Sequence, residues 1–353
     1  MTSTANAWLT RAGSMGQYEQ LALENDLVAI GWGELSDLSG LTREQIAERI
    51  REQHPDAGKP KVSNWTGQLN AFVHGIQPGD LVVLPLKSRP MIAIGRVKGD
   101  YTFRPELEPD ARHARSVDWI SKDVPRTAVG QDLLYTLGAF LTVCRVSRHN
   151  AAARLAELAT TGTDPGYEEA VDLAAADTDV DVDEAESTSA RSDLEQDARD
   201  AINKLIAKRF PGHDLSKLVA AVLQAQGMTT FVAPPGKDGG IDVMAGSGPL
   251  GMDSPRICVQ VKFTSAPVSA SVIRELDGVA ARIGAQQSLL VSWSGITIDA
   301  EREIRTLFFR TRVWTADDVF RELTAVYDKL PEEIQAELPL KRIWTLAIET
   351  PSQ

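Results

Sequence analysis

The sequence is poor in the residues that build disulfides and metal clusters. Of its 353 residues only two are cysteine, Cys144 and Cys258, and five are histidine. Both cysteines lie inside apolar runs, so we expect them to be reduced core residues. Two separated cysteines and scattered histidines do not provide the ligand spacing of a zinc cluster. The composition therefore excludes a disulfide-stapled fold and a zinc-cluster protein.

The sequence also lacks a long apolar run and a basic leader followed by an apolar one. A membrane-spanning helix needs about 20 apolar residues, and no stretch approaches that length. The content of 43% hydrophobic and 24% charged residues is ordinary for a globular protein. These features predict a cytoplasmic protein with no membrane partner.

An excess of positive charge is missing as well, since the formal net charge is -12. Residues 157–200 contain fifteen Asp and Glu against two Arg, so the rest of the chain is close to neutral, at about +1. We interpret 157–191 as an acidic flexible linker between a domain at 1–156 and a domain at 192–353. A nearly neutral domain can still bind phosphate through a local basic face.

The second domain alternates between helical and strand patterns. A capping box at Ser192 starts a helix that ends near Arg209. A second helix is predicted over 214–226, and further helices near 269–283, 298–308 and 317–329. Strands are predicted at 229–233, 241–245, 256–263, 287–293 and 311–315. This order predicts an α/β sandwich around a mixed sheet, with a C-terminal tail from Pro331 packed on it.

Three polar residues in this domain suggest a phosphoryl-transfer site. Asp242 follows a glycine-rich loop, and Gln260 and Lys262 project from one face of the next strand. If the two strands pair, a carboxylate, an amide oxygen and an ammonium group converge. Oxygen ligands suit Mg²⁺ or Mn²⁺, and a metal with a lysine can neutralise the charge of phosphodiester hydrolysis. Asp242 and Gln260 are the predicted metal ligands.

At these residues the chain resembles the Mrr-type restriction endonucleases, a branch of the PD-(D/E)xK superfamily in which glutamine replaces the middle acid. The resemblance covers roughly residues 200–330. It implies catalytic roles for Asp242, Gln260 and Lys262, and it places Asp214, on the preceding helix, where the family carries a glutamate. We also expect Lys237 and Arg274 to contact DNA. Two other interpretations are open: the glycines merely form a tight hairpin, or the nuclease fold is decayed.

The first domain shows short strands with glycine and proline turns and a few helices, which is typical of a small β-barrel. Its motifs at 79–84 and 92–101 resemble those of EVE and PUA-like barrels, whose EVE members recognise modified nucleobases. A reader of this kind flips the base between aromatic faces and contacts its edge. The predicted base-binding residues are Trp32, Asn64, Trp65, Arg115, Asp118 and Trp119. Trp32 and Trp119 fit the core of the barrel equally well, Asn64 fits a helix N-cap, and His113 fits a surface or supporting position.

Together the two resemblances imply a modification-dependent, type IV-like restriction endonuclease. Its partner would be double-stranded DNA that carries a modified base. One catalytic centre in each chain implies a homodimer for cutting both strands. Two alternatives remain: a non-catalytic nucleic-acid-binding protein with a decayed nuclease fold, and a defence nuclease activated by a small nucleotide.

Overall fold

The computed structural model describes residues 5–138, 141–166, 194–236 and 240–343, which divide into two compact units. The N-terminal unit contains the described residues up to Val124 and those between Ala128 and Asp197. The C-terminal unit contains the described residues from Ala198 onward, together with Pro125–Thr127. No described helix is long and apolar enough to cross a membrane.

The N-terminal unit is a curved mixed sheet with helices packed on it. Its strands are β1 Ala7–Thr10, β2 Leu27–Ile30, β3 Leu81–Pro85, β4 Met91–Val97, β5 Thr102–Phe103, β6 His113–Pro125 and β7 Val143–Arg145. Its helices are α1 Glu19–Glu24, α2 Arg43–Gln53, α3 Lys59–Asn70, α4 Gln131–Leu137 and α5 Ala151–Thr161, with a π-helical turn at Ala71–Gly75 and short 3-10 turns at Pro109–Ala111 and Arg126–Ala128.

The seven strands run in the order β2-β6-β4-β3-β1-β7, and β5 pairs with β6. The path has two ends among the described strands, so the expected small barrel takes the form of a half-barrel. β1 pairs with β3 in parallel, and β2–β6 and β3–β4 are antiparallel pairs. Apolar side chains of β1, β3 and β4 fill a core against α4 and α5.

Two sequence interpretations in this unit differ from the structure. Helix α3 begins at Lys59, because Gly58 provides an extended N-cap and Pro60 suits the first helical turn, where its missing N–H costs nothing. Asn64 is therefore inside α3 and is not its N-cap. The predicted linker start at 157 falls inside α5, which continues to Thr161. The rest of that linker lies mostly in 167–193, outside the described residues.

The C-terminal unit is an α/β sandwich with a five-stranded mixed sheet in the order β12-β11-β10-β9-β8. Its strands are β8 Thr229–Val232, β9 Val243–Ser247, β10 Asp253–Lys262, β11 Gln287–Ser292 and β12 Thr311–Trp314. Its helices are α6 Leu194–Arg209, α7 His213–Ala225, α8 Ala270–Arg282, α9 Ile298–Thr306, α10 Ala316–Ala325 and α11 Glu332–Glu337, with a 3-10 turn at Tyr327–Lys329. The expected fold class is confirmed.

The two faces of this sheet pack against different helices. Val259 and its neighbours Val243 and Val291 share one core with α6, α7 and α10. Cys258 and Leu290 share the other core with α8 and α9. β10–β11 and β11–β12 are parallel, whereas β8–β9 and β9–β10 are antiparallel. The alternation of side chains along β10 consequently decides which helices each residue faces.

Candidate functional site

Gln260 and Lys262 leave β10 on the same face of the sheet as Cys258, toward the α8 and α9 layer. They lie beside Leu290 and Ser292 of the parallel strand β11. Gln260 is only 8% exposed, whereas Lys262 is half-buried at the end of the strand. Within the described part of the chain, the Lys262 ammonium group makes no hydrogen bond or ion pair. That group is available to an anionic ligand.

Asp242 is the residue just before β9, and it lies next to this part of β10. Its backbone N–H donates to the Val259 carbonyl at 2.9 Å, and its carbonyl accepts from Ala233 N–H at the same distance. Its Oδ2 accepts from the Val261 N–H at 2.7 Å. Because Val261 lies between Gln260 and Lys262 in the chain, this bond holds the carboxylate against the strand segment that carries both side chains.

The Gln260 amide oxygen is an unusual atom. Oε1 is buried and accepts no hydrogen bond from any described residue. A buried acceptor without a donor costs about 1–3 kcal/mol, so such an atom calls for an explanation such as an ion. The backbone at Gly240 has φ +87, and a Cβ there would lie 3.0 Å from Gln260 Nε2. Gly240 thus leaves no room for a side chain beside the amide.

These residues fit a divalent ion with hard oxygen ligands. A carboxylate and an amide oxygen can hold Mg²⁺ when water and a substrate phosphate complete the shell. No group of three or more His, Cys, Asp or Glu side chains suited to a metal occurs among the described residues. The neighbouring Cys258 does not compete as a ligand, because burial and the nearby Asp242 charge raise the pKa of its thiol to about 11.

The comparisons with known proteins agree with this geometry. Residues 207–323 match a family model described as a restriction endonuclease, the Mrr catalytic domain. The C-terminal unit contains an Mrr-type restriction endonuclease domain. Residues 8–132 match a domain of unknown function, DUF8426, so the resemblance of the N-terminal unit to EVE and PUA-like barrels stays a prediction. No curated protein sequence matches the chain.

Three solved structures show weaker overall likeness. AspBHI, titled a DNA modification-dependent restriction endonuclease, is 14% identical with a TM-score of 0.32, over 80% of this chain and 74% of its own. The MspJI restriction endonuclease in complex with a 27-mer oligonucleotide is 13% identical with a TM-score of 0.30, over 90% and 75%. AF1548, a protein of unknown function, is 16% identical with a TM-score of 0.25, over 35% and 77%. All three TM-scores lie below 0.5, so the domain assignment rests on the family match.

Asp214 of the Mrr-type domain does not join the other three residues. It lies in the first turn of α7, and α7 packs on the opposite face of the sheet from Gln260. Its carboxylate is half-exposed and accepts from Lys217 Nζ at 2.7 Å, a bond that lowers the pKa of Asp214. The sequence suggested this position because it is acidic and near the helix start, but the helix presents it to solvent.

Two residues, Lys237 and Arg274, are predicted to contact DNA. Lys237 lies outside the described residues. Arg274 lies in the second turn of α8, is largely exposed, and pairs with Glu303 of α9 at 3.0 Å. A guanidinium group paired at the surface can exchange its carboxylate for a phosphate at small cost. Contact between Arg274 and DNA stays a prediction.

Gly240→Ala is expected to impair the site without unfolding the domain. The positive φ strains any side chain, and the new methyl group would lie 3.0 Å from Gln260 Nε2, so the amide must shift by a few tenths of an ångström. We expect at least about a tenfold weaker divalent-ion affinity, by analogy with residues that orient metal ligands. Calorimetric titration of Mn²⁺ measures this, and Gly278→Ala, where a Cβ meets no atom within 4 Å, is the control. Equal affinities in both variants would contradict the assigned loop role.

In the N-terminal unit, Trp32 has a left-handed backbone with φ 68 and a half-exposed side chain. A buried chain of hydrogen bonds supports this conformation. Leu38 N–H donates to Tyr101 Oη at 3.3 Å, Tyr101 Oη bonds His113 Nδ1 at 2.8 Å, and His113 Nε2 bonds the Trp32 carbonyl at 3.2 Å. His113 is fully buried, so of the two positions expected for it, surface or supporting, the structure shows the supporting one.

Burial lowers the pKa of His113 below its ordinary value of about 6.5, and the Trp32 carbonyl and the charge of Glu34 oppose that shift only partly. Below pH 6.5 the unfolded chain binds a proton that the folded ring does not. We therefore expect the free energy of unfolding to decrease as the pH falls, so that the fold becomes less stable, by at most about 1.4 kcal/mol per pH unit from this group. Urea unfolding between pH 5 and 8 tests it, because His113→Gln should flatten the slope; parallel slopes would contradict it.

The other predicted base-binding residues occupy different environments. Arg115 is 1% exposed and bonds three backbone carbonyls, so it is a core residue and does not reach a base. Asp118 is exposed and pairs with Lys98 at 3.0 Å. Trp119 donates from Nε1 to the Ala22 carbonyl at 3.3 Å and packs against the Gly95 backbone, as the core interpretation expects. Of these three side chains, Trp119 borders the same apolar cluster as Trp32.

Trp65 lies with Trp32 around one apolar cluster, and both side chains are half-buried. Asn64 precedes it on α3 and accepts from Gln68 Nε2 at 2.8 Å. Sequence reasoning missed two neighbours of Trp65, namely His54 and Lys61, whose side chains contact its ring. No sequence motif marks them. Only the spacing of Lys61 and Trp65, four residues apart on a helix, could have suggested one of the two contacts.

Proposed function

We propose that this chain is a modification-dependent, type IV-like restriction endonuclease. The Mrr-type domain hydrolyses DNA phosphodiesters with a divalent metal, and the N-terminal unit recognises a modified, flipped base. The observation that carries the catalytic part is the buried Gln260 Oε1, which accepts no hydrogen bond within the described part of the chain, next in sequence to the Val261 N–H that binds the Asp242 carboxylate, in a matched nuclease domain.

The residues of the chain divide the chemical task among them. Asp242 and Gln260 would hold the metal, and a bound divalent ion would supply charge neutralisation at the phosphate and a water of lowered pKa. Lys262, at the end of β10, donates to a non-bridging phosphate oxygen and stabilises the charge that develops there. The Val261 N–H fixes the Asp242 carboxylate, so the site is ordered before substrate binds.

The reading part rests on the half-exposed aromatic residues of the N-terminal unit. Trp32 keeps a left-handed backbone although it is not glycine, and such strain persists where surrounding contacts over-determine it, often at ligand sites. A flipped base stacks on aromatic faces of this kind while polar groups read its edge. Each chain supplies one catalytic centre, so cutting of both strands requires two chains, and a homodimer is part of the proposal.

The test is cleavage of matched plasmids with Mg²⁺ or Mn²⁺. One plasmid is unmodified, and the others carry 5-methylcytosine, 5-hydroxymethylcytosine or N6-methyladenine. Metal-dependent cutting confined to one modified plasmid supports both parts of the proposal. Equal cutting of all plasmids refutes the reading part alone. No cutting of any plasmid, with metal binding retained, refutes the nuclease part and favours a binding protein.

A further inference from the structure

An exposed carboxylate–imidazole pair lies beside the Trp65 ring. Glu34, two residues after Trp32, bonds His54 Nε2 through Oε1 at 2.7 Å, and the side chains of the two residues are 36% and 32% exposed. His54 follows α2 directly, and its ring meets Trp65 edge-on at 4.8 Å between centroids. We call Glu34, His54, Lys61 and Trp65 the tryptophan rim.

Lys61 covers one face of Trp65 in this state. Its Nζ lies 4.6 Å from the ring centroid, and its side chain is exposed. A cation over an exposed ring contributes less than a nucleobase stacked on that ring. A flipped base stacked on that face would displace Lys61 from the ring.

The carboxylate of the pair offers an acceptor. An ionised carboxylate only accepts, so His54 Nε2 donates to Glu34 Oε1 and holds the carboxylate in place. The second oxygen, Glu34 Oε2, makes no hydrogen bond to the described chain. Such a pair favours an amino group of a base and disfavours a carbonyl oxygen, which would face it lone pair to lone pair.

We propose that Glu34, held in place by His54, reads the exocyclic amino group of the flipped base while Trp65 stacks on it. The ligand is then a modified cytosine or adenine, which share an amino group beside a ring nitrogen, and not a modified uracil or thymine. This inference rests on the proposed reading function and narrows its substrate class.

The experiment measures binding by the full chain in EDTA, where no cleavage occurs. Fluorescence anisotropy compares duplexes that carry 5-hydroxymethylcytosine, N6-methyladenine, 5-hydroxymethyluracil or no modification at one position. The wild type should bind one of the two amino-bearing bases about tenfold tighter than 5-hydroxymethyluracil and unmodified DNA, the scale of one base-edge contact. The 5-hydroxymethylcytosine and N6-methyladenine duplexes distinguish the two sources of the amino group.

Glu34→Gln is the decisive variant, because its amide can present either an acceptor or a donor. We expect the preference over 5-hydroxymethyluracil to shrink to within about threefold, while Glu48→Gln, which removes the same charge from exposed α2 surface, keeps it. Full discrimination in Glu34→Gln, or equally tight 5-hydroxymethyluracil binding by the wild type, overturns the inference and leaves the reading function standing. No preference of the wild type for any modified duplex overturns both.

Discussion

Lys262→Ala should reduce the rate of DNA cleavage by about 10²- to 10³-fold, the range found when one preorganised charge-stabilising donor is removed. The change removes the side chain beyond Cβ with its ammonium group, and the β10 backbone bonds do not depend on that side chain. The Lys262 carbonyl still accepts from Trp293 N–H, and the strand still pairs with β11. Single-turnover cleavage of supercoiled plasmid at saturating metal measures the effect on the chemical step.

Asp242→Asn is the companion variant. Its amide keeps an oxygen that can accept from the Val261 N–H, but the negative charge is lost. We expect weaker metal binding together with lost cleavage, whereas Lys262→Ala should keep metal affinity. Lys329→Ala, at an exposed lysine of the same unit, is the control. If Lys262→Ala cut at the control rate, Lys262 would be a solvated charge and the tight-hairpin interpretation of the glycine loop would regain weight.

The convergence of Asp242, Gln260 and Lys262 was predictable because it depends on local geometry. Residues 260 and 262 share a face by the alternation of any strand, and the pairing of β9 with β10 brings Asp242 to the same place. The position of Asp214 could not be predicted, because a helix can pack on either face of a sheet and nothing in its own sequence states which. The apolar stripe of α7 predicts that the helix is buried on one side, but not against which layer.

The N-terminal unit was harder to predict because its polar contacts span long distances in the chain. His54 meets Glu34 across 20 residues, and Arg115 meets Phe72 and Val73 across more than 40. An arginine in a strand pattern is normally exposed, so the sequence favoured a ligand contact. Two of its partners, the carbonyls of Phe72 and Val73, belong to a π-helical turn. Five residues of such a turn leave no periodic pattern in the sequence.

Arg115→Ala is expected to destabilise the N-terminal unit strongly, because the side chain is buried. Nε donates to Phe72 O at 2.7 Å, Nη2 to Val73 O at 2.8 Å and Nη1 to Gly99 O at 3.1 Å. Burial lowers the pKa of this guanidinium, and the charges of Asp100 and Asp80 oppose that effect. Removal leaves a cavity, three carbonyls without their donor and an unbalanced acidic environment. We expect a loss of about 3–5 kcal/mol in the free energy of unfolding.

The measurement is urea unfolding followed by tryptophan fluorescence, with Arg49→Ala as the matched control. Arg49 is an exposed arginine of α2 whose pairing with Glu52 at 3.7 Å is worth well under 1 kcal/mol. The Mrr-type domain should keep its metal affinity in Arg115→Ala, because the Asp242 and Gln260 contacts lie entirely within the other unit. If Arg115 instead contacted the base, Arg115→Ala would leave the stability unchanged and would selectively weaken binding to modified DNA. The two measurements on one variant thus separate a core arginine from a reading arginine.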